Sequence, residues 1–112
     1  MTDGIAVVAG PDSEGLGDAL EAQGMTVSRV NGIADLPALE DVGIENADLY
    51  VLTDVGQATS IPVIVDFVEE IRVVVYSRES LPEFAKGQAD LLLDPELLDP
   101  EIVAEELTQT MR

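Results

Sequence analysis

IAVVAGPDSEGLGDALEAQG, residues 5–24, passes from an apolar run through a glycine-punctuated turn into a short amphipathic segment. Five apolar residues in a row suit a strand covered on both faces, as in parallel sheets. Asp12 or Ser13 then stands where a helix N-cap belongs, and Leu16, Ala19 and Leu20 recur at i, i+3 and i+4. Gly24 takes the position just past the helix, where a left-handed backbone is wanted. Strand, glycine loop and helix in that order open a doubly wound α/β fold, whose first loop can hold a ligand at the helix start.

The same grammar repeats outward from there. Residues 25–30 read as a second strand and Asn31-Gly32 as a turn. Asp35-Leu36-Pro37 opens a second helix, with Asp35 as cap, Leu36 and Leu39 facing inward, and Gly43 as its stop. Residues 48–53 (DLYVLT) form a third strand, apolar almost throughout. Residues 58–70 are rich in β-branched side chains (Ile61, Val63, Ile64, Val65, Val68), and local propensity alone allows a strand there. Parallel neighbours need a crossover of roughly a dozen residues, however, and only this segment supplies one between strands three and four, so it is expected to be helical. Arg72–Tyr76 is strand four, residues 81–86 a short helix, 89–93 strand five, and Pro100–Thr110 a closing helix behind an Asp99-Pro100 start. Five strands alternating with helices define the expected fold class: a three-layer, Rossmann-like, doubly wound parallel sheet in order 2-1-3-4-5, with residues 1–112 as a single domain.

Of the 112 residues, 46% are hydrophobic but only 4% aromatic, so the core must be aliphatic. Charge is the outlying feature: 23 acidic against 5 basic side chains, a net charge of −18. Such a surface repels itself and loses stability at low ionic strength. At molar salt the Debye length falls to about 3 Å and most of that repulsion vanishes. The acids are spread along the helices and not gathered into a tail, which suits the cytoplasm of a halophile better than an acidic mimic of nucleic acid. The absence of Cys excludes disulfides, thiolate metal sites and cysteine nucleophiles, and the absence of His excludes imidazole chemistry. Ser13, Ser60 and Ser77 lack a His or nearby Lys to activate them, and no carboxylate pair stands apart from the other acids, so a non-enzyme is expected. No apolar run approaches the roughly 18 residues of a membrane span, and the basic footprint of a nucleic-acid binder is missing. Neither a membrane nor nucleic acid is therefore an expected partner.

In the order 2-1-3-4-5 a ligand crevice lies at the carboxyl ends of strands one and three. The loops 10–17 and 53–60 meet there, and the candidate ligand-binding set is Gly10, Ser13, Gly15, Thr53, Asp54 and Gln57. Glycine amides and small hydroxyls can hold an anionic group at a helix start. The plainer reading is an N-capping loop with an Asx turn at Asp54. Asp12, Glu14 and Asp18 crowd the same place, and each like charge at about 4 Å costs roughly 1 kcal/mol in water. That favours a neutral or weakly charged ligand such as a nucleoside, or a protein partner alone, over a dinucleotide, with a nucleotide still a candidate and Arg78 as the candidate compensating cation. No metal site is indicated, and the identity of any cofactor stays open. Leu92, Leu93, Leu97 and Leu98 make a candidate apolar patch for a homodimer.

Four pieces resemble the nucleotide-binding (RCK, or Trk-type) regulatory domain of potassium channels and transporters: Glu40-Asp-Val-Gly-Ile-Glu-Asn-Ala-Asp48, Val51-Leu-Thr-Asp54, Ile71-Arg-Val-Val-Val-Tyr-Ser-Arg78 and Ala89-Asp-Leu-Leu-Leu-Asp-Pro-Glu96. The whole chain is more similar still to a small haloarchaeal family, some of whose members carry the name CTP synthetase. The chain lacks the phosphate loop, Cys and His that a CTP synthetase needs. The RCK resemblance implies a nucleotide-sensing regulatory module, although the family's Gly-x-Gly-x-x-Gly is here Gly10-Pro-Asp-Ser-Glu-Gly15-Leu-Gly17 and its ribose-binding acid falls on Asn31. The strand order is also similar to that of phospho-receiver domains. That resemblance implies a phospho-acceptor at Asp54 and its hydroxyl partner at Ser77, but puts Gly10-Pro11 where a receiver has its Mg²⁺-binding acids and Asp94-Pro95 where it has lysine and proline. Two expectations stand side by side: a non-catalytic regulatory or ligand-sensing module, and, as the alternative, a degenerate receiver-like interaction domain with no ligand.

Overall fold

The computed structural model describes residues 4–110. Its elements run β1 (Ile5–Ala9), α1 (Leu16–Ala22), β2 (Thr26–Val30), α2 (Leu36–Asp41), β3 (Leu49–Leu52), α3 (Ser60–Phe67), β4 (Arg72–Tyr76), α4 (Glu83–Lys86), β5 (Leu91–Leu93) and α5 (Pro100–Thr110), with short 3-10 turns at Ile44–Asn46 and Val55–Gln57. The five strands form one parallel sheet in the order β2-β1-β3-β4-β5. This is the doubly wound fold expected from the apolar runs.

Successive strand residues point to opposite sides, and the core divides accordingly. Val7, Ala9, Tyr50, Leu52, Val73 and Val75 meet Leu39, Ile61, Ile64 and Ala85 on the side covered by α2, α3 and α4. Ala6, Val8, Leu49, Val51, Val74 and Tyr76 meet Leu16, Leu20, Val103, Ala104 and Leu107 on the side covered by α1 and α5. β1 and β3 are sealed on both faces, which is why their sequences carry no polar alternation.

Side chains trim the elements to shorter lengths than the periodicity suggests. At the start of β3, Asp48 accepts the Ile5 amide at 2.9 Å, and at its end the Thr53 hydroxyl donates to the Ala9 carbonyl at 3.2 Å. Strand five begins at Leu91 and not at residue 89, because the Asp90 carboxylate takes the Val73 amide at 2.7 Å in the ladder's place. The helix expected over 81–86 starts at Glu83, since Pro82 holds an extended backbone while Leu81 is buried. The crossover segment is helical as the chain-length argument requires, although it spans only Ser60–Phe67; Val68 leaves the helix on extended backbone and packs into the core. Asp35 caps α2 by accepting the Ala38 amide at 3.0 Å, with Pro37 in the first turn.

Candidate functional site

The carboxyl ends of β1 and β3 abut. Thr53 donates both its amide and its hydroxyl to the Ala9 carbonyl, at 3.0 and 3.2 Å. Gly10, at φ +99, lets the first loop pass over that contact: a Cβ there would lie 2.5 Å from the Thr53 hydroxyl and 2.9 Å from the Asp54 nitrogen. The abutment divides the expected crevice. Gly10, Asp54 and Gln57 line a cleft of about 950 Å³ between the loops that precede α2 and α3. Ser13 and Thr53 line a smaller hollow of about 300 Å³ with Tyr76, Ser77, Arg78 and Pro95, and Pro11 stands on the ridge between the two. Gly15 lines neither of them; it is the left-handed residue (φ 79) that starts α1. The six candidates are thus neighbours around two cavities and do not converge on one.

Most of their polar atoms are bonded within the chain. Asp54 accepts the Gly56 amide at 2.9 Å, forming the Asx turn that is the plainer reading of this loop. Gln57 reaches across the cleft, donating to the Gly32 carbonyl at 3.0 Å and accepting the Ala34 amide. Neither cap candidate for α1 takes the N-cap position, which is Gly15, but Asp12 supplies the carboxylate from three residues upstream, accepting the Leu16 and Gly17 amides at 2.9 Å each. Around the smaller hollow, Ser77 accepts the Glu79 amide at 3.1 Å and Asp94 the Glu96 amide at 2.9 Å. Arg78 reaches the hollow's mouth as expected, but lies between Glu14 at 3.4 Å and Glu96 at 3.5 Å, tying the loops after β1 and β5 together.

Two phenols lie beneath these loops. Burial pushes Tyr50 up to about 12, with the 2.8 Å hydrogen bond to Ser60 pulling the other way. Burial, then the carboxylates of Glu14, Asp99 and Glu101, also raises Tyr76, whose hydroxyl donates to the Leu98 carbonyl at 2.6 Å. Both stay protonated throughout the physiological range and act as interior props. Among the described residues no group of three or more carboxylates is arranged to hold a metal ion, and no helix is long and apolar enough to cross a membrane.

The local sequence pattern assigns no role to Arg29 or Ile33. Arg29 pairs with Asp18 at 2.9 Å, Asp12 at 3.5 Å and Glu21 at 3.8 Å, pinning β2 to α1. Its signal was legible: an arginine inside a strand, followed by no acid of its own and preceded by an acidic helix. Ile33 stands 76% exposed on the lip of the larger cleft, and nothing in its local sequence announces that.

The chain belongs to DUF7126, a family of unknown function whose profile spans residues 6–107. No curated protein matches it. Among solved structures, it is similar to an orphan response regulator of H. pylori (TM-score 0.75, 18% identity, 100% of each chain covered). It is also similar to a CheY-like response regulator receiver domain from Methylobacillus flagellatus (TM-score 0.70, 16% identity, 96% of this chain and 98% of that one). A Burkholderia thailandensis protein with a provisional pilus-assembly role shares the fold as well (TM-score 0.67, 16% identity, 94% of each chain). At such identities the likeness is one of fold. None of these three is an RCK domain, so the RCK resemblance rests on the sequence pieces and not on the architecture.

Proposed function

We propose that this chain is a non-catalytic, receiver-like interaction module that works without phosphoryl transfer. The observation that carries the reading is the self-satisfied end of the sheet. Asp54, Ser77 and Asp94, the positions that the receiver resemblance singles out, each bond a backbone amide two residues further along the chain. Gly10-Pro11 supplies no carboxylate for Mg²⁺, and Asp94 in place of a lysine would repel a phosphoryl group. The fold shared with the H. pylori regulator and the Methylobacillus receiver domain supports descent from, or convergence on, that architecture. The test is incubation with acetyl phosphate and Mg²⁺ in molar KCl, read by intact mass, with beryllofluoride melts alongside. No adduct and no shift are expected; a phosphoryl group on Asp54 would overturn the reading.

One observation favours a second reading, ligand sensing: the 950 Å³ cleft has an apolar floor and is large enough for a nucleoside. A melt panel of NAD(H), ATP, AMP, nucleosides and cyclic dinucleotides separates the two, because a ligand at 100 times its dissociation constant adds about 2.7 kcal/mol. The setting we favour is the cytoplasm of a salt-adapted archaeon, supported by 23 acids against 5 bases. Homodimerisation through the β5 edge belongs to the same proposal and is read by light scattering at high salt; of the four leucines expected to form the patch, Leu92 and Leu97 are exposed and are joined by Leu91, whereas Leu93 and Leu98 are half-buried against the core under α1 and α5.

A further inference from the structure

The loop that carries Ile33 is held on both sides of it. Gln57, from the turn before α3, bonds the Gly32 carbonyl with its amide nitrogen and the Ala34 amide with its oxygen, so the two residues flanking Ile33 are clamped while its side chain faces solvent. Exposing an isoleucine on a slack loop is ordinary. Exposing one on a loop fixed by two hydrogen bonds is preorganisation, which lowers the ordering cost of an encounter.

Ile33 overlooks an apolar groove. The 950 Å³ cleft, floored by Val30, continues past Leu36 and Val63 into a second hollow of about 570 Å³ lined by Pro62, Val65 and Phe67. Val63 and Phe67 are 39% and 40% exposed. The rim carries Asp35, Asp54 and Asp66, and none of the ion pairs among the described residues involves them. Among the described residues no lysine or arginine lines either hollow.

We propose that this α2–α3 groove docks a cationic amphipathic helical segment of a partner protein, with Ile33 as its preset anchor. The inference rests on the interaction-module reading and names the face and the class of partner. Charge chooses the occupant. A second copy of the chain would bring its own net charge of −18 and the same acidic rim, whereas lysines flanking a leucine stripe meet Asp35, Asp54 and Asp66. Size agrees: the eight residues of α3 span roughly 12 Å at 1.5 Å per residue, and with the Ile33 loop the groove suits two to three turns of helix anchored at i, i+3 or i+4, and i+7.

The probe is a synthetic helix with a leucine face flanked by lysines, compared with its glutamate-flanked counterpart and with a scrambled peptide of the same composition. Binding is read by fluorescence anisotropy at about 0.1 M KCl, where surface charges still act over about 10 Å, and mapped by amide chemical shifts. The lysine-flanked helix is expected to bind with its footprint on Ile33, Leu36, Val63 and Phe67, and the glutamate-flanked one not to bind. Ile33→Ser should weaken binding about tenfold while leaving the melting temperature unchanged, since the side chain is exposed. Gln57→Ala should weaken it by less, through the loosened loop. Absence of binding, equal binding of the scrambled peptide, or self-association through α3 would each overturn the proposal. A footprint on Leu91, Leu92 and Ile102 would overturn this groove while sparing the interaction-module reading. Displacement of the peptide by a nucleoside would count against both.

Discussion

The two sides of the sheet have equally dry cores but different exteriors. On the α1–α5 side, Arg29 gathers Asp12, Asp18 and Glu21, Arg78 joins Glu14 to Glu96, and Arg72 bonds Thr110 on α5. On the α2–α4 side the only cation pair among the described residues is Lys86 with Glu83, inside α4 itself, and Val63, Val65, Phe67, Phe84 and Ile33 are left in solvent. With four described bases to distribute, the fold has spent three of them on one face. The face whose one described cation is tied up inside α4 is the one with room for a partner's.

If both interiors are truly equivalent, truncating either should cost the same. Leu20→Ala under α1 and Ile61→Ala under α3 each remove a fully buried side chain and should each cost about 2–5 kcal/mol in KCl-supported urea melts. Val63→Ser, on the outer side of α3, should cost less than about 0.5 kcal/mol. A large cost at Val63 would mean that the groove is core and not surface.

The junction between the two cavities comes next. Gly10→Ala combines an unfavourable backbone region with a Cβ driven into Thr53 and Asp54, and should cost about 3 kcal/mol. Gly32→Ala has a similar φ of +96 but open space around its Cβ, so it should cost only about 1 kcal/mol. Equal losses would show that the loops do not abut.

Alkaline pH probes one tyrosine on each side. Tyr50 ionises near 10.0 when unfolded and near 12 when folded, so the neutral phenol is favoured by the fold. That contribution is complete below pH 10 and disappears as pH rises towards 12, a loss of roughly 2–3 kcal/mol. Tyr50→Phe should flatten most of this dependence in melts between pH 9 and 12, leaving a weaker residue of the same sign from Tyr76.

The smallest expected effect is electrostatic. Arg29→Ala should cost about 1 kcal/mol at low ionic strength, because its pairs are partly solvated, and the cost should fade towards molar KCl. Over the same range the parent chain should itself gain stability steadily, since its −18 charges stop repelling one another. A melting temperature flat in salt would mean that the acids are locally balanced.

Much of the architecture could be read from residues 5–24 and their echoes, because a strand buried on both faces has to be apolar in sequence and its crossovers have to be long. The helical state of residues 60–67 is instructive: Val63, Ile64 and Val65 favour a strand locally, and chain length overrode them. The candidate site was legible only as a neighbourhood. Gly10, Thr53, Asp54 and Gln57 were correctly placed at the ends of β1 and β3, yet their hydrogen bonds to Ala9, Gly56, Gly32 and Ala34 depend on where two loops sit in space, and no spacing along the chain encodes that.

Composition and periodicity were therefore enough for the strands, the aliphatic core and the acidic surface, since each of these is a statement about single residues meeting water or its absence, and the strand order followed from right-handed crossovers and the count of five strands. Packing in three dimensions settled the rest: that Gly10 closes against Thr53 and divides the crevice, that Arg29 and Arg78 are consumed on one side, and that Gln57 holds Ile33 outward over an acid-rimmed groove. Those are properties of pairs distant in sequence, where a few tenths of an ångström separate a contact from a clash.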